Sequence, residues 1–421
     1  MTAILEINDT ELLLYHRGQR LYRAPAIAIA REDGLIFGEA ALRLARIHPR
    51  QAHQQYLSRL SPDPLAHPTR DAANLADLIY HQLREVAALC PDDMVIAVPG
   101  TLSTEQLGVL LGIGQEAGLK VCGFVDAAVA AVSTSRAPEQ VCYLDIYLQH
   151  INITELIVND AVQRTRAYEI RECGLSNLLD GWVNLIADRF VRETRFDPLV
   201  TADTEQQLYN QVYDWVMDGA LNADVAVEIQ HADLRRKVEV PRAALEQKAA
   251  TRYARVLEAL QGHQAVRLSA RAARVPGLSA RLRAAGLLVE PLALDAVAAG
   301  CTTHLSRIRS PDGELRLVTR LPGAATRPSP ESAAATPAPD RAVNTPAAPT
   351  HLLLGHSARP IALFTEAPLE VDAGTVWLQP DPALPSLLKL NGDTVTGRVR
   401  IEPGDRIETP AGTFQAIRVE G

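Results

Sequence analysis

One architectural phrase occurs twice in this chain. From Ile4 the residues alternate apolar and polar, and ELLLY, PAIAIA and LIFGEAAL then follow around the polar HRGQR and the pair Asp33-Gly34. This is a run of predicted β-hairpins feeding a helix, because Asp-Gly supplies the positive φ of a tight turn. Between 70 and 90, Leu75, Leu78, Ile79 and Leu83 fall at helical spacing. DMVIAVPG is an apolar run too short for a helix, and TEQLGVLLGIGQEAGL after it is an amphipathic helix with Ser103 or Thr104 as its cap. The phrase restarts at Val141, where VCYLDIYLQHINITELIV alternates over a hairpin-like span and leads into LLDGWVNLIADRFVRETR. A buried strand followed by a helix marks an α/β domain. Two copies predict two lobes of like design flanking a cleft, about residues 1–140 and 141–310, within a domain of 1–320.

Residues 204–260 read as mostly helical, interrupted by the hairpin candidate VAVEIQHADLRRKVEVPR, with Pro241 starting the next helix. QAVRLS is a short strand and LSARLRAAG a short helix ending at Gly286. From Leu321 to Thr350 the chain is Pro, Ala, Thr and Ser with almost nothing to bury, which predicts an extended, disordered linker. In 351–421, HLLLGH, TVWLQ, SLLKLNGD, GRVRI and GTFQAIRV are short strands between turn residues, a small all-β domain.

A length of 421 residues with 47% hydrophobic and 22% charged residues fits a multidomain globular chain. The formal net charge of -8 supplies no clustered positive field for nucleic acid or an anionic membrane, so neither is an expected partner. The five cysteines are scattered without a CxxC pair, which suggests reduced thiols rather than a disulfide framework or a zinc cage. MTAILEIND carries acids where a secretory signal would be basic, and no apolar run approaches a membrane span, so a cytoplasmic protein is expected.

Five segments, in order, resemble the ATPase domain of the seventy-kilodalton heat-shock chaperones, within the actin and sugar-kinase superfamily. They are PAIAIAREDGLIFGEAALRLARIHP, VIAVPGTLSTEQLGVLLGIGQEAGLKVCGFVDAAVAAV, GLSNLLDGWVNLIADRF, VRLSARAARVPGLSARLRAAG and LALDAVAAGCTTHLSRI. The resemblance covers roughly residues 1–310 and implies a two-lobed, actin-like fold that holds magnesium and ATP between two Gly-rich hairpin turns. This chain departs from that pattern at the turns. The first carries Glu6, Asn8, Asp9 and Thr10, and the second reads Asp145, Ile146, Tyr147, Leu148, Gln149, His150, with the family's three glycines gone. Asp126 stands where the family has a catalytic Glu, and Arg274 with Pro276 matches the adenine-stacking loop, whose preceding Gly pair is Ala270 and Arg271 here. No lysine occurs between residues 1 and 119, so the family's phosphate-touching lysine has no counterpart.

Those departures bear on both phosphate access and charge, since a Cβ at the turns blocks the approach of phosphate. The expectation is a pseudo-ATPase with no cofactor, acting as a chaperone-like or scaffolding protein on a protein partner. The alternatives are an active ATPase using Glu6, Asp126 and Asp145 for magnesium, with Asn8, Thr10 and Arg274 on the nucleotide, and a sugar-kinase relative. Glu6 and Asp145 are the candidate metal ligands; strand-end carboxylates facing a wet cleft is the plainer reading. Arg274 among Arg267, Arg271, Arg281 and Arg283 reads equally as a solvated helix end, and His150 as a structural histidine. His48 with His53, and His351 with His356, lack a third ligand. GIGQEAG lies inside a helix, not at a nucleotide loop. At the other end, LLLGHSARP and LNGDTVTGRVRIEPGDRIETPAGTFQAIRV look like the opening and closing strands of a forkhead-associated domain, with Gly355-His356-Ser357 where Gly-Arg-Ser is expected, so the expectation is a β-sandwich interaction module without phosphopeptide binding.

Overall fold

A computed structural model of the chain describes residues 2–218, 224–310, 315–324, 349–354, 357–361, 369–372, 375–379, 388–391, 393–395, 397–401, 404–409 and 412–417. The chain is α/β and divides into two units, Met1–Pro328 and Ser329–Gly421.

In the first unit the chain opens with β1 (Ala3–Glu6), β2 (Leu12–His16) and β3 (Gln19–Ala24). Arg17 and Gly18, at φ 53° and 74°, make the two-residue turn between β2 and β3. A side sheet follows, with β4 (Ala28–Arg31), β5 (Gly34–Phe37), α1 (Gly38–Leu42), β6 (Ala52–His53) and α2 (Tyr56–Arg59). Arg31 pairs with Gly34, so this turn is Glu32-Asp33, one residue earlier than the Asp-Gly pair suggests. Next come α3 (Leu75–Leu89), β7 (Asp93–Val98), α4 (Thr104–Glu116), β8 (Lys120–Asp126) and α5 (Ala127–Ser133). Reciprocal side-chain and backbone bonds open two of these helices, Asn74 with Asp77 on α3 and Ser103 with Gln106 on α4.

The second half repeats the plan with β9 (Gln140–Ile146), β10 (His150–Val158), β11 (Ala161–Arg171), α6 (Leu175–Thr194) and α7 (Ala202–Met217). The predicted hairpin is β12 (Val225–His231) with β13 (Leu234–Val240), and Pro241 is the cap of α8 (Arg242–Ala259). Then follow β14 (Ala265–Leu268), α9 (Ala270–Arg274), α10 (Leu278–Ala284), β15 (Leu288–Pro291), α11 (Ala296–Thr303), α12 (Leu305–Ile308), β16 (Leu317–Val318) and β17 (Arg320–Pro322).

The two main sheets share the order of five of their six strands. The first runs β16-β8-β7-β1-β2-β3 and the second β15-β14-β9-β10-β11-β17. Five strands of each correspond, three antiparallel ones extended on the side of the first strand by two parallel ones, while β16 adds a third parallel strand to the first sheet and β17 an antiparallel strand at the other edge of the second. Between the sheets a core of Ile4, Leu13, Val95, Val141 and Tyr143 is joined by α5 and α11. Those two helices approach so closely that a Cβ on Gly300 would meet the Ala130 carbonyl oxygen at 1.9 Å. On another side, Ile27, Ile29, Ala41 and Leu42 of the first half share a core with Tyr209 and Val212 of α7.

The proposed start of the linker needs correcting. Leu321 pairs with Val162 and Pro322 with Ala161, so these residues finish a sheet rather than begin a linker. A three-residue strand is too short for any periodicity to reveal. The rest of that stretch, 325–348, lies outside the described residues.

In the second unit, β18 (His351–Leu354), β19 (Ser357–Pro360), β20 (Leu369–Asp372), β21 (Thr375–Leu378), β22 (Lys389–Leu390), β23 (Asp393–Thr394), β24 (Val399–Ile401), β25 (Arg406–Thr409) and β26 (Gly412–Ile417) form two sheets. Their orders are β19-β18-β26-β25-β22-β23 and β20-β21-β24. Leu352, Ile407 and Phe414 of one sheet share a core with Val376, Leu378 and Ile401 of the other.

Candidate functional site: a charged knot between the two sheets

Open α/β sheets bind ligands beyond the carboxyl ends of their parallel strands. In this chain the carboxyl ends of β1 and β9 meet there. The Ser269 hydroxyl accepts from the Ala272 N–H and opens α9, while the Ser269 N–H donates to the Leu144 carbonyl. That anchorage puts Arg271, in the first turn of α9, against β9.

Arg271 is the centre of the site. Its Nε lies 3.2 Å from Asp145 Oδ1 and its Nη2 2.7 Å from Asp145 Oδ2, and the same Nη2 bonds Glu6 Oε1. Asn8 Nδ2 adds a bond of 3.0 Å to Asp145 Oδ2 and one of 3.1 Å to the Ile146 carbonyl. The Asn8 side-chain oxygen accepts from both the N–H and the hydroxyl of Thr10. Asp9 reaches across as well, its Oδ1 accepting from the Leu148 N–H at 2.7 Å. All of these side chains are buried, Arg271 at 6% exposure and Glu6 and Asp145 at 2% each. At the edge of the knot, Glu11 Oε1 accepts from Arg274 Nη1 at 2.9 Å and from Arg23 Nε at 2.8 Å.

Burial and charge compete here. Burial opposes the charge on Arg271, but Asp145 and Glu6 outweigh it and push its pKa above the ordinary value. Arginine stays protonated in any case. Burial raises the Glu6 carboxyl despite Arg271, and raises Asp9 to about 7 despite the Leu148 N–H. Glu6 Oε2 and Asp9 Oδ2 are buried without a hydrogen-bond partner, a reason for both carboxyls to favour the protonated form. Beside the knot, His150 stacks on Tyr147 with ring centroids 4.7 Å apart and planes 7° from parallel, 3.7 Å from Glu169. Burial lowers its pKa and favours the neutral ring. The cavity lined by Ile7, Asp9, Tyr147 and His150 measures about 30 Å³, room for about one water.

Among known proteins, no family model and no curated relative matches this chain.

Of the residues singled out in the sequence, Glu6, Asn8, Thr10 and Asp145 come together, and Arg274 borders them. Asp126 is used elsewhere: Oδ1 accepts from the N–H groups of Ala128 and Val129 at the start of α5, and Oδ2 pairs with Arg164 Nη1 at 2.8 Å. Burial raises its pKa against the pull of Arg164. Glu6 and Asp145 face neither a metal position nor a wet cleft, because a guanidinium lies between them. Magnesium placed between these carboxylates would meet a cation already in bonding contact with both, so the residues present do not fit it. Nor are Arg267 and Arg271 a solvated helix end, since both are buried. Arg271 was visible in the sequence as the replacement of a glycine pair; that it faces Asp145 depends on the neighbouring β9 and β14, some 120 residues apart.

A second cross-link joins the halves through α1. Arg43 makes paired contacts of 3.0 and 2.6 Å with Asp214 of α7, Arg46 lies over the Tyr209 ring and pairs with Asp180, and Gln206 donates to the Leu42 carbonyl.

Proposed function

We propose that the first unit is a two-lobed, actin-like domain of the heat-shock-chaperone type that has become a non-catalytic scaffold, closed by protein groups where the family holds magnesium and ATP. The repeated strand order supports the fold reading. The single observation that carries the functional one is Arg271 between Glu6 and Asp145, a fixed cation in the place where the family's carboxylates organise a mobile one. Tyr147 and Leu148 fill the second turn where glycines would bare backbone N–H groups, and the Leu148 N–H is already bonded to Asp9.

On this reading the second unit is a forkhead-associated-like β sandwich that offers a surface to a protein partner in the cytoplasm. Its paired sheets support that assignment. Of Gly355-His356-Ser357, which stand where the family has Gly-Arg-Ser, Gly355 and His356 lie outside the described residues.

A steady-state assay of phosphate release from magnesium-ATP tests the reading. The expected rate is that of a buffer blank. A rate above the blank that falls in Asp145→Ala would overturn it in favour of a working ATPase with an unorthodox phosphate grip.

A further inference from the structure

The hairpin of β12 and β13 is a two-stranded sheet of its own. Its inner face joins the core, where Val227, Ile229, Val238 and Val240 are buried with Trp182 and Tyr209. Its two edges differ. Along β12, two glutamines of α7 stand in for a further strand: Gln207 donates to the Gln230 carbonyl and accepts from the Gln230 N–H, both at 3.1 Å, and Gln211 does the same with Glu228 at 2.8 and 3.2 Å. Because Glu228 and Gln230 turn their backbone groups to α7, it is Val227 and Ile229 that bond across the hairpin to Val238 and Arg236. The backbone groups of Arg235, Lys237 and Glu239 therefore point outward from β13, and among the described residues no group is bonded to them. All three residues are exposed.

We propose that this edge accepts an added strand from an acidic segment of a partner protein. An open row of N–H and C=O groups is a template for strand pairing, which proteins blunt with a proline, a bulge or a covering element. Strand β13 runs seven residues without a proline or a register shift, and the glutamine cover is on the other edge. Side chains directly opposite across the new pair share the solvent face, where Arg235 and Lys237 call for acids and Glu239 for a base. Lys237 already faces Glu228 of β12, so an acid on its other side completes a row of alternating charge. Arg235 meets Glu228 at 3.4 Å, but that pair is 71% and 50% exposed and exchanges at little cost. A second copy of this chain fits less well, since two β13 strands paired about Lys237 would set lysine against lysine. Arg236, on the inner face, is already seated over the Phe196 ring. None of these residues belongs to the knot around Arg271, so the edge stands or falls independently of the nucleotide reading.

Fluorescence anisotropy of a labelled peptide, Thr-Lys-Val-Asp-Val-Asp-Thr, titrated with the full chain tests the edge. Laid antiparallel to β13, its lysine faces Glu239 and its aspartates face Lys237 and Arg235. Saturable binding is expected, weakened about tenfold in Lys237→Glu, where attraction becomes repulsion. Methylating the backbone nitrogen of the first aspartate, which points at β13, should abolish binding, whereas methylating that of the following valine, which points away, should leave it intact. No saturable binding, an equal effect of the two methylations, or equal binding of the charge-reversed peptide Thr-Asp-Val-Lys-Val-Lys-Thr would overturn the proposal. So would a dimer of the chain in sedimentation that Lys237→Pro disperses, because the edge would then belong to a second copy. If Lys237→Glu does not fold, the two methylated peptides decide on the unmodified chain.

Discussion

Arg271 holds two buried carboxyls at once, and its removal strands both. Truncating one partner of a buried ion pair costs about 3–5 kcal/mol, because the remaining charge is left without water or a counter-ion. Arg271→Met should therefore lower the unfolding free energy by that amount in urea denaturation. Glu6→Gln should cost less, about 1 kcal/mol, since burial already raises the Glu6 carboxyl towards its neutral form and an amide oxygen still accepts from Arg271. A larger loss in Glu6→Gln than in Arg271→Met would contradict this assignment. Asp9 gives a pH signature. Its carboxyl titrates near 7 folded against 3.8 unfolded, so between those values the folded chain binds the extra proton and stability falls as pH rises. Asp9→Asn keeps an acceptor for the Leu148 N–H and removes the charge. The variant should be more stable than the parent at pH 8, by up to a few kcal/mol, with the gap closing towards pH 4. A constant difference across that range would show that Asp9 does not titrate in this window.

Among the elements, α5 and α11 set the spacing of the two halves, and Gly300 permits it. Gly300→Ala would drive a methyl into the Ala130 carbonyl, so it should cost at least the roughly 1–3 kcal/mol of an overpacked core. Gly112→Ala is the contrast: it lies on the exposed side of α4 with nothing within 4 Å of a new Cβ, and should stabilise by about 0.5–1 kcal/mol. Thermal melts of the pair check both signs. The elements also show what the sequence could reveal. Helices α3 and α4 were legible from apolar spacing, and α4 also from Ser103 at its start; the Asn74–Asp77 box of α3 came from the structure. Strand β11 was not, because Gln163, Arg164, Thr165 and Arg166 give it no apolar run; it is defined by pairing with β10. Strands β16 and β17, of two and three residues, extend the two sheets from beyond the expected end of the second half.

At the scale of the whole molecule, the repeated strand order was the most legible feature and the meeting of the charged side chains between the two sheets the least. The identities of Glu6, Asp9, Asp145 and Arg271 could be read along the chain, but their meeting depends on contacts spanning up to 265 residues. The bonds of Asn8 and Asp9 to the second turn, the α5–α11 crossing and the Arg43–Asp214 pair each bind one half to the other; on the proposed reading, nucleotide entry would require breaking the first of these, which are buried, before making any. Restoring glycine at Tyr147, Leu148 and Gln149 alone would leave Arg271 and Asp9 in place. Isothermal titration of the unmodified chain with magnesium-ATP tests this closure most directly: the account predicts no saturable heat, and micromolar binding that Asp145→Ala abolishes would contradict it.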